Sequence, residues 1–90
     1  MEITWDDAKA ESNVQKHGIT FEEAASALAD PHADTFADDH GPELRFITVG
    51  HTATRRLLLV VWSEGGETAI RIISARKATP HERRVYEEGV

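Results

Sequence analysis

The spacing of apolar residues along the chain changes twice. Glu2–Trp5 reads as a short strand, after which apolar positions recur at helical spacing as far as Leu28. Asp6 or Asp7 is placed to cap a first helix, and Gly18 to close it in the left-handed conformation just after Lys16 and His17. Thr20 then starts a second helix, with Glu23 three residues on to complete a capping box and Ile19 placed to staple onto Ala24. Phe21, Ala24, Ala25 and Leu28 share one face of that helix, and Asp30-Pro31 ends it.

From Ala33 the period becomes two. A short strand at Ala33–Ala37 precedes the turn Asp38-Asp39-His40-Gly41-Pro42, and strands follow at Glu43–Val49, Arg55–Ser63 and Glu67–Ala75. Their connections are hairpin length, which predicts an antiparallel meander. The run Leu57–Trp62, LLLVVW, is apolar at both parities and reads as a central strand covered on each side. Helical spacing returns at Thr79, a cap followed by Pro80 at the first helical position and Glu82 at the third. The order β-α-α-β-β-β-β-α predicts an α+β fold, two N-terminal helices packed on an antiparallel sheet with a C-terminal helix.

Ninety residues, 40% of them hydrophobic, suit one folded domain over 1–90. The absence of cysteine excludes disulfides, thiolate metal sites and a cysteine nucleophile. The start, MEITWDD, has no signal-peptide pattern, and the longest apolar run is far short of the ~20 residues that span a bilayer. A soluble cytoplasmic protein without a membrane partner is expected. The net charge of −6 is unevenly placed: residues 1–44 carry 11 acids against Lys9 and Lys16, whereas residues 45–86 carry 8 cations against Glu64, Glu67 and Glu82. Such halves commonly face different partners.

The basic half sharpens in Ala69–Glu88, where Arg71, Arg76, Lys77, Arg83 and Arg84 occupy a strand, a turn and a helix start. Strict alternation puts Ile70, Ile72 and Ser74 on one face and Arg71, Ile73 and Ala75 on the other. An arginine between isoleucines either pairs with an acid of the N-terminal half or presents its planar fork to a phosphate. Arg76 and Lys77 precede a helix N-terminus, which also favours an anion, while Arg83 and Arg84 suit a solvated helix surface. Lys16 and His17 compensate a helix C-terminus unless they act on a substrate. His51 and His81 sit where an imidazole titrating near neutrality would serve acid–base chemistry. His32, Asp34, Asp38, Asp39 and His40 match no ligand spacing and read as an acidic loop, so no metal or other cofactor is expected. No phosphate-binding glycine loop, zinc-protease helix or nucleophile elbow is present.

Three blocks together, WDDAKAESNVQKHGITFEEAASALADP, ELRFITVGHTATRRLLLVVWSE and IRIISARKATPHERRVYEE, resemble the BrnT toxins of type II toxin–antitoxin modules, over roughly Trp5 to Glu88. The resemblance implies a RelE-like ribonuclease fold, RNA cleavage that halts translation, and neutralisation by a BrnA-type antitoxin through which the complex reaches DNA indirectly. It maps catalytic positions onto Lys16, His17, Arg71, Arg76 and Tyr86, and RNA-binding positions onto Arg45, Arg56, Lys77 and Arg83. Within that set Arg71 and Arg76 would carry charge, and Lys16, His17 or Tyr86 proton transfer or positioning. His51 stands where family members vary, so the resemblance gives it no role. A rival expectation is an inactive homologue that binds antitoxin as a corepressor; the overall negative charge motivates it, because cations give RNA-binding proteins their affinity.

Overall fold

A computed structural model describes residues 2–39 and 41–89 of the chain. The elements are β1 (Glu2–Trp5), α1 (Asp7–His17), α2 (Phe21–Leu28), β2 (Asp34–Asp38), β3 (Arg45–His51), β4 (Leu57–Glu64), β5 (Ala69–Lys77) and α3 (Pro80–Glu88). This is the expected order, with β3, β4 and β5 each starting two residues later and ending one or two residues later than the apolar pattern suggests. The strands form one sheet in the order β1-β5-β4-β3-β2. All neighbours are antiparallel except β1, which runs parallel to β5 with Ile3 opposite Ile70.

The sequence signals at the helix ends work as chemistry requires. Asp6 accepts the backbone N–H of Lys9, and Gly18 closes α1 at φ 69°. Thr20 and Thr79 cap α2 and α3 by accepting from Glu23 and Glu82. Only α3 completes the reciprocal box, because the Glu23 carboxylate turns away from Thr20 to bind Arg56 and Thr54. A tertiary ion pair has displaced a local one.

Central β4 is covered on both faces, as its unbroken apolar run requires. Leu58 and Val60 join Ile19, Phe21, Ala24, Ala27, Ile72 and Ala75 beneath α1 and α2. Leu57 and Leu59 join Val49 on the opposite face, where Ala78 and Tyr86 of the α3 segment pack. Gly50 lets β3 approach α2, since a Cβ there would lie 2.6 Å from the Ala27 carbonyl oxygen. Removing a fully buried side chain such as Phe21 from such a core typically costs about 3–5 kcal/mol.

Two features of β5 were not legible from alternation. The ladder slips between Val61 and Trp62, so that Val61 faces Ser74 but Trp62 faces Ile72, and Ile73 is the extra residue of a bulge. Parity therefore reverses after Ile73. Ala75 is buried beside Ile72 rather than opposite it, and Arg76 shares a face with Arg71. In addition β1 pairs only with Ala69–Ile72, which leaves the far half of the β5 edge to α1. There the buried Asn13 amide stands in for a strand: it donates to the Ala75 carbonyl (2.9 Å), accepts the Ala75 N–H (3.1 Å), and also donates to the Ile19 carbonyl (3.0 Å). Among the described residues no helix is long and apolar enough to cross a membrane.

Candidate active site

The site begins at Asp30, where α2 has ended and the chain turns towards β2. Its Oδ1 accepts the His32 backbone N–H at 2.9 Å, and its Oδ2 accepts the His51 backbone N–H at 2.8 Å. Oδ2 also receives the Tyr86 hydroxyl at 2.6 Å, tying the end of α2 to the last residue of β3 and to α3. The Asp30 side chain is 8% exposed. Burial alone would push this carboxyl up, but the donors from His51, Tyr86 and His32 outweigh it and hold the pKa at about 2. Tyr86 moves the other way: burial and the adjacent Asp30 carboxylate raise its hydroxyl to about 12.

These protonation states define the third member. With the Tyr86 proton committed to Asp30, the hydroxyl oxygen is an acceptor facing His51 Nδ1 at 3.2 Å. That arrangement selects the tautomer with hydrogen on Nδ1 and leaves the lone pair on Nε2. The His51 ring stands edge-on to Tyr86, with centroids 5.0 Å apart, and its side chain is 34% exposed. An imidazole oriented by a buried carboxylate through a hydroxyl, with one nitrogen available, is the arrangement of a proton-transfer group.

The placement of α3 makes this contact, and Arg76 fixes α3. Its two terminal nitrogens bind the two Glu82 oxygens at 2.9 Å each, and one also donates to the Lys77 carbonyl at 3.1 Å. Glu82 in turn accepts the Thr79 N–H at 2.8 Å. Hydrogen bonding from Arg76 lowers the Glu82 pKa, so the pair stays ionised. On the other side of His51, the Arg56–Glu23 pair braces the β3–β4 loop against α2, assisted by Ser26 accepting the Ala53 N–H. Beside Tyr86 runs a groove of about 400 Å³ between α3 and the β2–β3 edge, lined by Asp34, Thr35, Phe36, Val49, His81, Glu82, Val85 and Tyr86.

The structure divides the residues singled out in the sequence. Tyr86 is in the cluster, and Arg76 stands beside it. Arg71 and Arg45 lie on the same sheet face towards the other end of their strands, both exposed, and neither has an ion-pair partner among the described residues. Lys77 is exposed at the end of β5, and Arg83 pairs loosely with Glu87 at 3.7 Å. Arg56 is engaged by Glu23. Lys16 and His17 are not brought to Tyr86; they flank a shallow cleft with Asn13, Ile73 and Ser74 on the α1 side of β5. In the sequence Asp30 is one acid among several in the N-terminal half, suited to a basic antitoxin segment, and His51 is one imidazole among several. Asp-Pro at a helix end and a histidine at a strand end are common, so nothing in one dimension joined them to a tyrosine 35 residues further on. No three His, Asp or Glu side chains converge as metal ligands do among the described residues, which do not include His40.

Comparison with known proteins places the chain in a family. A family model described as the ribonuclease toxin BrnT of type II toxin–antitoxin systems matches residues 5–82. The crystal structure of the Brucella abortus ribonuclease toxin BrnT superposes with a TM-score of 0.71 at 27% identity, covering 88% of this chain and 97% of that one. No curated relative matches. Fold, element order and family model coincide: the chain belongs to the BrnT family of ribonuclease toxins of type II toxin–antitoxin systems.

Proposed function

We propose that this chain is a metal-independent endoribonuclease whose proton-transfer group is His51, held in register by Tyr86 and Asp30. The observation that carries the reading is the directed hydrogen-bond chain from Asp30 through the Tyr86 hydroxyl to His51 Nδ1. In the reaction His51 Nε2 takes the proton of an RNA 2′-hydroxyl, that oxygen attacks the adjacent phosphorus, and the bond to the 5′-oxygen breaks. A 2′,3′-cyclic phosphate and a 5′-hydroxyl result, the latter receiving its proton from His51 or from His81 on the groove wall. The 2′-hydroxyl requirement restricts the substrate to RNA. Arg71 and Arg45, unpaired on the same sheet face, follow the RNA backbone, and Lys77 and Arg83 extend this basic surface. Arg76 holds α3 while keeping its charge near the reacting phosphate, where electrostatic stabilisation is commonly the largest contribution to rate. Lys16 and His17, on the α1 side, bind flanking RNA rather than react, and Arg56 braces the loop.

Recombinant protein incubated with RNA in EDTA should fragment it, and His51→Ala should slow this by about 10²–10⁴-fold with the fold intact by circular dichroism. Cleavage by His51→Ala at the wild-type rate would show that the proton-transfer site lies elsewhere. In the cell the toxin acts in the cytoplasm, inhibits translation, and is neutralised by a BrnA-type antitoxin that links the complex to DNA. A second reading, an inactive corepressor module, is favoured by one observation: Arg56 and Arg76 are already neutralised by the chain's own carboxylates. Normal growth on expression without antitoxin, together with intact RNA, would decide for it.

A further inference from the structure

We infer that the groove between β2 and α3 is a nucleobase subsite selective for guanine, with Phe36 as its stacking surface and Asp34 as its reading group. The inference rests on the ribonuclease reading above and goes beyond it by naming the base. Four observations support it. The groove, of about 400 Å³, shares Tyr86 with the His51 cluster, so a base lodged there would belong to a nucleotide at the reacting phosphate. Its walls are largely apolar, and Phe36 is 51% and Val85 37% exposed, unusual for an edge strand and a short helix without a partner. Aromatic side chains at such places are what unstacked RNA bases stack upon.

The third observation is chemical. Asp34 has no hydrogen-bond or ion-pair partner among the described residues, whereas Glu82, the other carboxylate of the groove, is fully occupied by Arg76 and Thr79. An unpaired carboxylate repels phosphate, so its presence beside a phosphate-cleaving site calls for another function. The fourth is register. Asp34 and Phe36 are two residues apart on β2, opposite Val49 and Ile47, so both project to the α3 face and towards the same ligand.

A carboxylate only accepts hydrogen bonds. Guanine alone among the four RNA bases offers two adjacent donors, N1–H and the N2 amino group, which one carboxylate takes bidentately. Adenine and cytosine each place an acceptor nitrogen beside their amino group, and uracil flanks its single N3–H with two carbonyls. A bidentate contact of this type discriminates by about tenfold or more against a base lacking one donor.

The test uses fluorescent oligonucleotides in which every sugar is 2′-deoxy, so binding is read without cleavage, with guanine, inosine, adenine, cytosine or thymine at one central position. Wild-type protein should bind the guanine probe about tenfold more tightly than the inosine probe, which lacks only the N2 amino group. Asp34→Asn should equalise the probes, and Phe36→Ala should weaken all of them. Equal binding of all probes by the wild type overturns the inference. Natural RNA left uncut while the guanine preference persists would refute the ribonuclease reading and leave the subsite standing. Cleavage with no base preference in binding or cutting would do the reverse. If Asp34→Asn and Phe36→Ala leave the probes unaffected but reduce capture of a BrnA-type antitoxin, the groove is a protein dock and the guanine assignment is wrong.

Discussion

Tyr86→Phe separates a positioning role from a merely structural one. The substitution keeps the ring, and with it the edge-on contact to His51, but deletes the hydroxyl that donates to Asp30 and accepts from His51 Nδ1. Asp30 retains two backbone donors, so its pKa should rise from about 2 towards the ordinary carboxylate range without reaching it. A hydrogen bond to a charged group contributes about 1.5–3 kcal/mol, and Asp30 keeps its backbone donors while the half-exposed His51 Nδ1–H can turn to water, so the stability loss should fall near 1–2 kcal/mol. The chemical effect should be larger than the structural one. Without an acceptor at Nδ1 the ring is free to adopt the other tautomer and to rotate, and loss of such an orienting contact typically costs about 10–100-fold in rate. Single-turnover cleavage measured from pH 5 to 9, with urea denaturation of the same samples, reads both. The rate should drop and its dependence on pH should change, because the imidazole is no longer held against the Tyr86–Asp30 pair. An unchanged profile with an unchanged rate would refute the orienting role, whatever the stability change.

Asp30 also predicts an acid limit. Its folded pKa of about 2 lies below the ordinary 3.8, so its stabilisation is complete above pH 4 and is lost as pH falls towards 2. The loss should be at most about 2.5 kcal/mol, nearer 1 once solvent screening is allowed for, and Asp30→Asn should flatten that part of the urea-midpoint profile. Tyr86, raised to about 12, gives the mirror case: its share is complete below pH 10 and lost on approaching 12, and Tyr86→Phe should abolish that alkaline step. Asn13→Ala should cost about 3 kcal/mol in urea denaturation, because it strands the N–H and carbonyl of Ala75 and the Ile19 carbonyl in a buried place; a loss under 1 would mean water replaces the amide. Arg55 sits at φ 68° in the β3–β4 hairpin, so Arg55→Gly should stabilise the fold by about 0.5–1 kcal/mol. If Arg55 contacts RNA, the same change lowers the salt-dependence slope of binding by about one.

What could be read from the sequence follows a physical division. Caps, turns and periodicity act over three or four residues, so Thr20, Thr79, Gly18, a cap at Asp6 or Asp7 and the burial of β4 on both faces were legible, as was the element order. The β5 bulge was not, because Ile73 and Ser74 suit either parity and only the register of β4 decides which is extra. Its consequence is functional: without it Arg71 and Arg76 would lie on opposite faces. The parallel pairing of β1 and the substitution of Asn13 for a missing strand are likewise settled by what the β5 edge lacks, not by anything local to either segment. The family motif drew attention to Tyr86 and the arginines, but motifs mark positions without saying which meet. Asp30 and His51 joined Tyr86 only once three elements were packed together.

The charge segregation along the chain finds its explanation in the same packing. Two of the contacts that join the acidic and basic halves, Glu23 with Arg56 and Asp30 with His51, lie at the end of the sheet where the proposed active site sits. Each holds its partners at a fixed distance beside that site, and each removes a cation or carboxylate from the pool available to ligands. What remains is therefore selective rather than uniformly basic: Arg45 and Arg71 without ion-pair partners among the described residues on one face, with the α1–α2 acids such as Glu11 and Glu22 exposed on the other layer. On the proposed reading, RNA would set its phosphates against the basic face and a base in the carboxylate-bearing groove beside His51. The acidic layer repels RNA and suits a cationic segment of an antitoxin. On this account raising salt should weaken RNA binding and antitoxin binding through different residues. Arg71→Ala should flatten the salt dependence of RNA binding, and Glu22→Gln that of antitoxin binding. A single substitution that flattened both would show that the two partners share one surface, and the division of the molecule into two faces would fail.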